Sequence, residues 1–238
     1  MVTQVRLGDI SVDVMLKDIK NVHLSVHPPT GRVRISAPKR MSLDTIRVFA
    51  ITKLAWIKQQ QNKLRRQERE TPREYLDRES HYLWGKRYLL KVVEQQAVPE
   101  VKLKHNNMIL RVRPGTNEKT KQAIVAEWYR EQIKAALPEL IEKWERKMAV
   151  KLERVFVRKM KTQWGSSNPR AGSIRLNSEL AKKPRECLEY VVVHEMVHLL
   201  ERYHNGRFTA LMDNYLPQWR HVRETLNSAP LGHETWSY

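Results

Sequence analysis

The feature that most constrains this chain is a short motif, His194-Glu195-Met196-Val197-His198, inside an apolar stretch. Residues four apart on a helix stack on one face about 6 Å from each other, so His194 and His198 can offer two imidazole nitrogens to one metal ion. Glu195 is rotated by about 100° and is better placed to take a proton from a metal-bound water. A third histidine, His204, follows on. Three protein ligands with one position left for water are typical of a catalytic zinc, so the motif predicts a Zn²⁺ site with Glu195 as general base.

The residues around the motif predict a buried helix that ends before His204. Valine and leucine lie on almost every side of it, which indicates a core position. Imidazole and carboxylate groups are costly there unless they are paired or bind metal. Asn205-Gly206 tolerates a left-handed backbone and favours a turn. We therefore expect one helix over 184–203, a turn carrying His204, and a second helix ending at Leu216 before Pro217.

Composition limits the partners of the chain. The net charge of +18 implies attraction to polyanions, and it predicts weak, sequence-independent binding to nucleic acid. The densest basic run, 63–69, is better explained as a solvated helix end than as a dedicated nucleic-acid site. No apolar stretch is long enough to cross a membrane, and the single cysteine, Cys187, suits a cytoplasmic location. The sequence does not fix an oligomeric state.

The patterning predicts an α+β protein with two domains, 1–115 and 116–238. The first forty residues alternate in hydrophobicity, with a turn at 28–31, and predict an antiparallel sheet. Ser42 is a candidate N-cap for one long helix near 42–69. Further strands are expected over 82–93, 101–104 and 108–112.

The second half combines helices with a further sheet. A helical pattern begins at Asn117 and is interrupted by Pro138. Two strands follow over 155–167 and 172–180, joined by a loop. Such a sheet beside the metal helix can present its edge to an extended substrate, since added strands exchange main-chain hydrogen bonds. Trp164 is equally compatible with the core and with a place lining the cleft.

Four motifs together resemble a known family. They are Trp164-Gly165-Ser166-Ser167, Gly172-x-Ile174-x-Leu176-Asn177-x-x-Leu180, Tyr190-x-x-x-His194-Glu195-x-x-His198 and His204-x-x-x-Phe208. In this order they resemble the YgjP-like metal-dependent hydrolases, bacterial relatives of the SprT-like and WLM zinc peptidases. The resemblance spans most of the chain. It implies a β-rich N-terminal part and a zincin-like C-terminal part, with His194, His198 and His204 on zinc and Glu195 as base.

The chain departs from that family at two positions. Cysteine is frequent where Ser167 stands, and tryptophan is frequent where Thr209 stands. Neither position is an expected ligand, so the metal site is unaffected. The histidine spacing also matches metzincins, but those carry glycine at the position of Glu201 and a Met-turn that is not evident here.

Three functions remain open from the sequence. The first is a zinc metallopeptidase acting on protein or peptide substrates, with Tyr203, Tyr215, Arg207 and His221 as candidates to stabilise the oxyanion. The second is a metal-dependent hydrolase of nucleotide phosphoanhydride bonds, because a basic protein attracts phosphorylated substrates. The third is a zinc-stabilised nucleic-acid-binding protein. A structural zinc would need a fourth ligand, for which Asp213 and His221 are the nearby candidates. The family resemblance adds cleavage of DNA-bound proteins as a variant of the first.

Overall fold

The computed structural model describes residues 2–27, 30–66, 74–160 and 163–228. The chain divides into two compact units, one before residue 73 and one after it. The sequence analysis put the boundary near residue 115 instead. The difference arises because the strands between 80 and 112 share one hydrophobic core with the helices that follow them.

The first unit contains a four-stranded sheet: β1 (Val2–Leu7), β2 (Ile10–Lys17), β3 (His23–His27) and β4 (Arg32–Pro38). The strand order is β1-β2-β4-β3, and β2 pairs with β4 in parallel while the other two pairs are antiparallel. The purely antiparallel sheet expected here is therefore wrong. Strand β4 lies between β2 and β3, and its Val33 and Ile35 are fully buried. Pro28 and Pro29 of the expected turn lie outside the described residues.

Two helices follow where one long helix was expected: α1 (Leu43–Thr52) and α2 (Leu54–Arg66). Ser42 is the N-cap, and its hydroxyl oxygen accepts a hydrogen bond from the Thr45 amide at 3.2 Å. The break falls at Lys53, whose amide donates back to carbonyls of the last turn of α1. Residues 67–69 of the predicted helix lie outside the described part of the chain.

The second unit begins with another four-stranded sheet: β5 (Ser80–Leu83), β6 (Lys86–Glu94), β7 (Glu100–Lys104) and β8 (Asn107–Val112). Its order β5-β6-β8-β7 and its pairing directions repeat those of the first sheet. A strand was expected across 82–93, but Trp84 and Gly85 both adopt positive φ and turn the chain back into a hairpin.

Helix α3 (Glu118–Met148) is continuous, although Pro138 was expected to interrupt it. Proline removes one backbone donor from a helix interior. Here the helix buries residues on both sides of that position, including Ile133, Leu137, Trp144 and Met148, and this packing offsets the loss. The helix ends at Ala149, which adopts the left-handed conformation.

Three short strands form the last sheet: β9 (Arg154–Arg158), β10 (Gly165–Asn168) and β11 (Ser173–Asn177). The expected strand over 155–167 is split between β9 and β10. The strand order is β10-β11-β9, so β10 lies at an edge; it pairs with β11 in antiparallel fashion, and β11 pairs with β9 in parallel.

Three helices complete the unit: α4 (Arg185–Leu200), α5 (Gly206–Tyr215) and α6 (Trp219–Ser228). Helix α4 ends three residues before the expected position, and α6 was not predicted. The class is mixed α+β, as expected, with three sheets and six α-helices in the described part of the chain. None of the helices described is both long enough and apolar enough to cross a membrane.

Candidate metal centre

Helix α4 carries the first two histidines on one face. Pro184 occupies the N-cap, and most of the helix is buried, including Val191, Val192 and Val193. The rings of His194 and His198, one turn apart, have centroids 5.0 Å from each other. The apolar residues around the motif, from which a buried helix was predicted, therefore pack α4 into the core and fix the positions of both imidazoles.

The chain turns directly after this helix and brings the third histidine back. Glu201 adopts an extended conformation and ends α4. Asn205 then caps α5, its side-chain oxygen accepting a hydrogen bond from the Phe208 amide at 3.0 Å. His204, between these two residues, has its Nε2 atom 3.1 Å from Nε2 of His198 and 3.0 Å from Nε2 of His194.

The three nitrogens fit a single metal ion. Tetrahedral zinc with Zn–N bonds near 2.05 Å needs nitrogens about 3.3 Å apart, close to the distances found here. The Nδ1 atom of His198 lies 3.1 Å from the Glu201 carbonyl, which can accept its proton and leave the Nε2 lone pair free. Among the described histidine, cysteine, aspartate and glutamate residues, these three side chains have ligand atoms close enough to one another to share one metal ion.

Electrostatics keep the first two imidazoles neutral. Burial, followed by the effect of the neighbouring His198 and His204, lowers the pKa of His194 to about 3. Burial also lowers the pKa of His198. A neutral imidazole is the form that binds a metal ion, so the site does not have to lose protons from these two groups at pH 7.

Aromatic rings pack around the three imidazoles. The ring of Phe208 lies 4.6 to 4.9 Å from each of the three, centroid to centroid. Tyr190 contacts His194 edge to face at 5.8 Å, and Trp219 of α6 stacks on Tyr190 at 6.5 Å. The Trp219 indole donates to Asp213 of α5 at 2.8 Å, which ties α6 to the helix after the histidine loop.

Glu195 lies on the buried side of the same helix, with 6% of its surface exposed. Burial raises the pKa of its carboxyl group to about 7, and a hydrogen bond from the Ser167 hydroxyl opposes the rise. A carboxylate whose pKa lies near neutrality is suited to accept a proton and release it again.

Strand β10 approaches this carboxylate closely at Gly165. A Cβ atom at that position would lie 2.7 Å from Oε1 of Glu195 and 2.8 Å from both its Cγ atom and a methyl group of Val191. Only glycine leaves room for the carboxylate in its observed place. The spacing in the sequence gave no sign of this contact, because the two residues are thirty positions apart.

The four oxyanion candidates lie in different surroundings. Tyr203 is 66% exposed, and its ring lies under the guanidinium of Arg202. Tyr215 packs edge to face on Trp144, in the core beside α3. Arg207 and His221 are exposed. Among the ring contacts found in the described residues, none joins Tyr203, Tyr215 or His221 to the three histidines.

Helix α6 supplies a positive charge that the sequence analysis missed. Arg223 lies over the Trp219 ring at 6.0 Å and contributes to the lowered pKa of His194. The spacing of Trp219, Val222 and Leu226, all buried, is the helical signal that was overlooked.

Comparison with known proteins relates the chain to one family and to two solved structures. A family profile described as "YgjP-like, metallopeptidase domain" matches residues 20–229. Two solved structures are similar to part of the chain: the metallopeptidase zymogens abylysin of Pyrococcus abyssi (19% identity, TM-score 0.35, 37% of this chain and 89% of that chain) and jannalysin of Methanocaldococcus jannaschii (17%, 0.34, 37% and 90%). No curated protein matches the chain. Because the profile covers most of its length, the chain belongs to the YgjP-like metallopeptidase family.

Proposed function

We propose that this protein is a zinc-dependent metallopeptidase, with His194, His198 and His204 as metal ligands and Glu195 as general base. One observation carries the proposal: Nε2 of His204 lies within hydrogen-bonding distance of Nε2 of both His194 and His198, and the residue next to His194 is a buried carboxylate. Three nitrogen ligands leave a tetrahedral ion one position for water or substrate, as a catalytic site needs.

The protein's own groups account for the proton transfers of peptide hydrolysis. A divalent ion in this site supplies Lewis-acid polarisation of the scissile carbonyl and lowers the pKa of water. Glu195 takes the proton of the attacking water and delivers it to the leaving amine. Ser167 holds the carboxylate in position through its hydroxyl, and Gly165 leaves the space in which the carboxylate lies.

The edge of β10 suits an extended substrate. Among the described strands, β10 pairs with β11 alone, and Gly165 on this strand lies against Glu195. A peptide that adds to the free edge gains main-chain hydrogen bonds whatever its side chains are. This arrangement favours unfolded or extended segments of protein as substrates.

The direct test compares substrate classes in parallel. Zinc-loaded protein is incubated with fluorescein-labelled unfolded casein, with a DNA-bound protein and with nucleoside triphosphates. We expect casein cleavage, reduced about a hundredfold or more by Glu195→Gln with the zinc content unchanged. Glu186→Gln, the same change in the exposed first turn of the same helix, should keep full activity.

Two outcomes would contradict the proposal. Full activity of Glu195→Gln would exclude the carboxylate as general base. Release of phosphate from nucleoside triphosphates without casein cleavage would favour the phosphoanhydride hydrolase, for which the net charge of +18 is the supporting observation. Faster cleavage of DNA-bound than of free protein would support the DNA-associated variant.

A further inference from the structure

The outer face of the three-stranded sheet carries a group of side chains that the proposed reaction does not use. Gly165 lies against Glu195 of α4, so this residue and the residue paired with it on β11 are on the side of the sheet that faces the helix. Successive side chains on a strand point to opposite faces, so Ser166, Arg175 and Phe156, which are directly paired, lie on the other side.

This outer face has one exposed aromatic ring among arginines. Phe156 is 43% exposed, in the middle of β9. Arg154 and Arg158 flank it on the same face, about 13 Å apart at 3.3 Å per residue. Arg175 is its neighbour on β11, with the guanidinium carbon 6.0 Å from the ring centroid. We call these four residues the Phe156 platform.

The three arginines of the Phe156 platform have no acidic partner among the described residues. In residues 2–27, 30–66, 74–160 and 163–228, no ion pair or side-chain hydrogen bond involves Arg154, Arg158 or Arg175. Glu179, which follows β11, is paired with Lys182 at 2.5 Å. Three guanidinium groups around an exposed ring thus remain available to a ligand that brings negative charge.

We propose that the Phe156 platform binds single-stranded nucleic acid, with a base stacked on the Phe156 ring and phosphates at the three arginines. Every base has a face that can stack on an aromatic ring, so this contact tolerates any sequence. Arginine adds cation–π contact and bidentate pairing with phosphate oxygens. An acidic peptide would use the charges but has no nucleobase to stack on the ring, and a duplex keeps its bases inside.

The proposal goes beyond the general attraction of a basic protein to polyanions, because it names a binding site and predicts a preference for single-stranded nucleic acid. Charge alone gives no preference for single strands, because a duplex has the higher charge density, whereas a stacking ring favours the single strand. The platform does not include the metal site, so the inference does not depend on the proposed peptidase activity.

The test measures binding of fluorescein-labelled oligo(dT) and of a random-sequence duplex by fluorescence anisotropy at several salt concentrations. Phe156→Ala should weaken oligo(dT) binding about tenfold and leave duplex binding nearly unchanged. Arg175→Ala should lower the salt slope for the single strand by about 0.7. Arg113→Ala, the same loss of charge at an exposed position after β8, is the matched control and should have little effect. Phe156→Tyr keeps a stacking ring and should bind as the wild type does.

Three results would overturn the proposal. Equal oligo(dT) affinity of wild type and Phe156→Ala would exclude stacking, and equal losses for Arg113→Ala and Arg175→Ala would mean that the charge acts without a defined site. Displacement of oligo(dT) by poly-glutamate at equal charge concentration would identify an acidic polypeptide as the ligand instead. Unchanged casein cleavage and thermal melting of each variant would show that the fold and the metal site are intact.

Discussion

Gly165→Ala tests whether the position of the Glu195 carboxylate limits the reaction. The added methyl carbon would lie 2.7 Å from Oε1 of Glu195, whereas ordinary contacts of a Cβ atom begin at 3.4 Å. The carboxylate must therefore retreat by about 0.7 Å, or the strand must move by that amount. Misplacement of a catalytic group by 1 Å can cost about a hundredfold in rate.

We expect kcat for casein cleavage to fall roughly 20- to 100-fold in Gly165→Ala, with a smaller change in KM. The backbone φ of Gly165 is not in the left-handed region, so alanine adds no backbone strain there. The three histidines are untouched, and zinc content measured by elemental analysis should stay at that of the wild type.

The matched control is Gly206→Ala, at the first residue of α5 and two positions after His204. A Cβ atom there meets nothing within 4 Å, so activity should not change. Wild-type kcat in Gly165→Ala would refute the steric argument. Loss of zinc or of the melting transition in the same variant would show that the defect lies in the fold and not in the general base.

Three further predictions concern single residues. His204→Ala should weaken zinc retention about a hundredfold or more, as measured by competition with a chromogenic chelator, while His221→Ala should not. Ser167→Ala removes a hydrogen-bond donor to the Glu195 carboxylate and should shift the acidic limb of the pH–rate profile to higher pH, because the Ser167 hydrogen bond lowers the pKa of that carboxyl. Asp13→Asn should lower the free energy of unfolding of the N-terminal unit, measured by urea denaturation, by about 1–2 kcal/mol at pH 7, because Asp13 accepts from Arg32 in an ion pair whose arginine is half exposed. That hydrogen bond holds the Asp13 pKa below its usual value in the folded state, so the contribution is present above about pH 4 and the difference between the two proteins should vanish as the pH falls further. An undiminished gap at pH 2 would contradict the assignment.

Much of the fold followed from the periodicity of hydrophobic residues, and two errors arose where contacts between distant residues decided the structure. Alternation located the strands of the first sheet, but it carries no information on which strand lies beside which, and the parallel pairing of β2 with β4 was missed. Pro138 was expected to interrupt a helix, since proline lacks a donor. The long buried row of α3 outweighed that local preference. Tertiary packing decided both cases.

In the candidate site too, features set by nearby residues could be predicted, and contacts between segments far apart in the sequence could not. All three histidines lie within eleven residues, so helix geometry and a turn sufficed to predict that they converge, and the structure brings them together. Their role as ligands and that of Glu195 as base stay predictions. The approach of Gly165 and the stacking of Trp219 on Tyr190 join segments far apart in sequence, and no spacing rule predicts such contacts.

The repeated sheet topology has a consequence for the order in which the chain folds during synthesis. Each four-stranded sheet is made of consecutive strands, within residues 2–38 and 80–112, so all its pairings have low sequence separation and can form early. At about 5–20 residues per second, the ribosome needs roughly 8 to 30 s to go from residue 38 to His194. The nascent chain can therefore hold folded β-structure before any of the three converging histidines has been synthesised. Pulsed proteolysis of stalled ribosome-bound chains should detect a resistant fragment ending near residue 66. A fragment that appears only after His204 has emerged would show that the two units fold together.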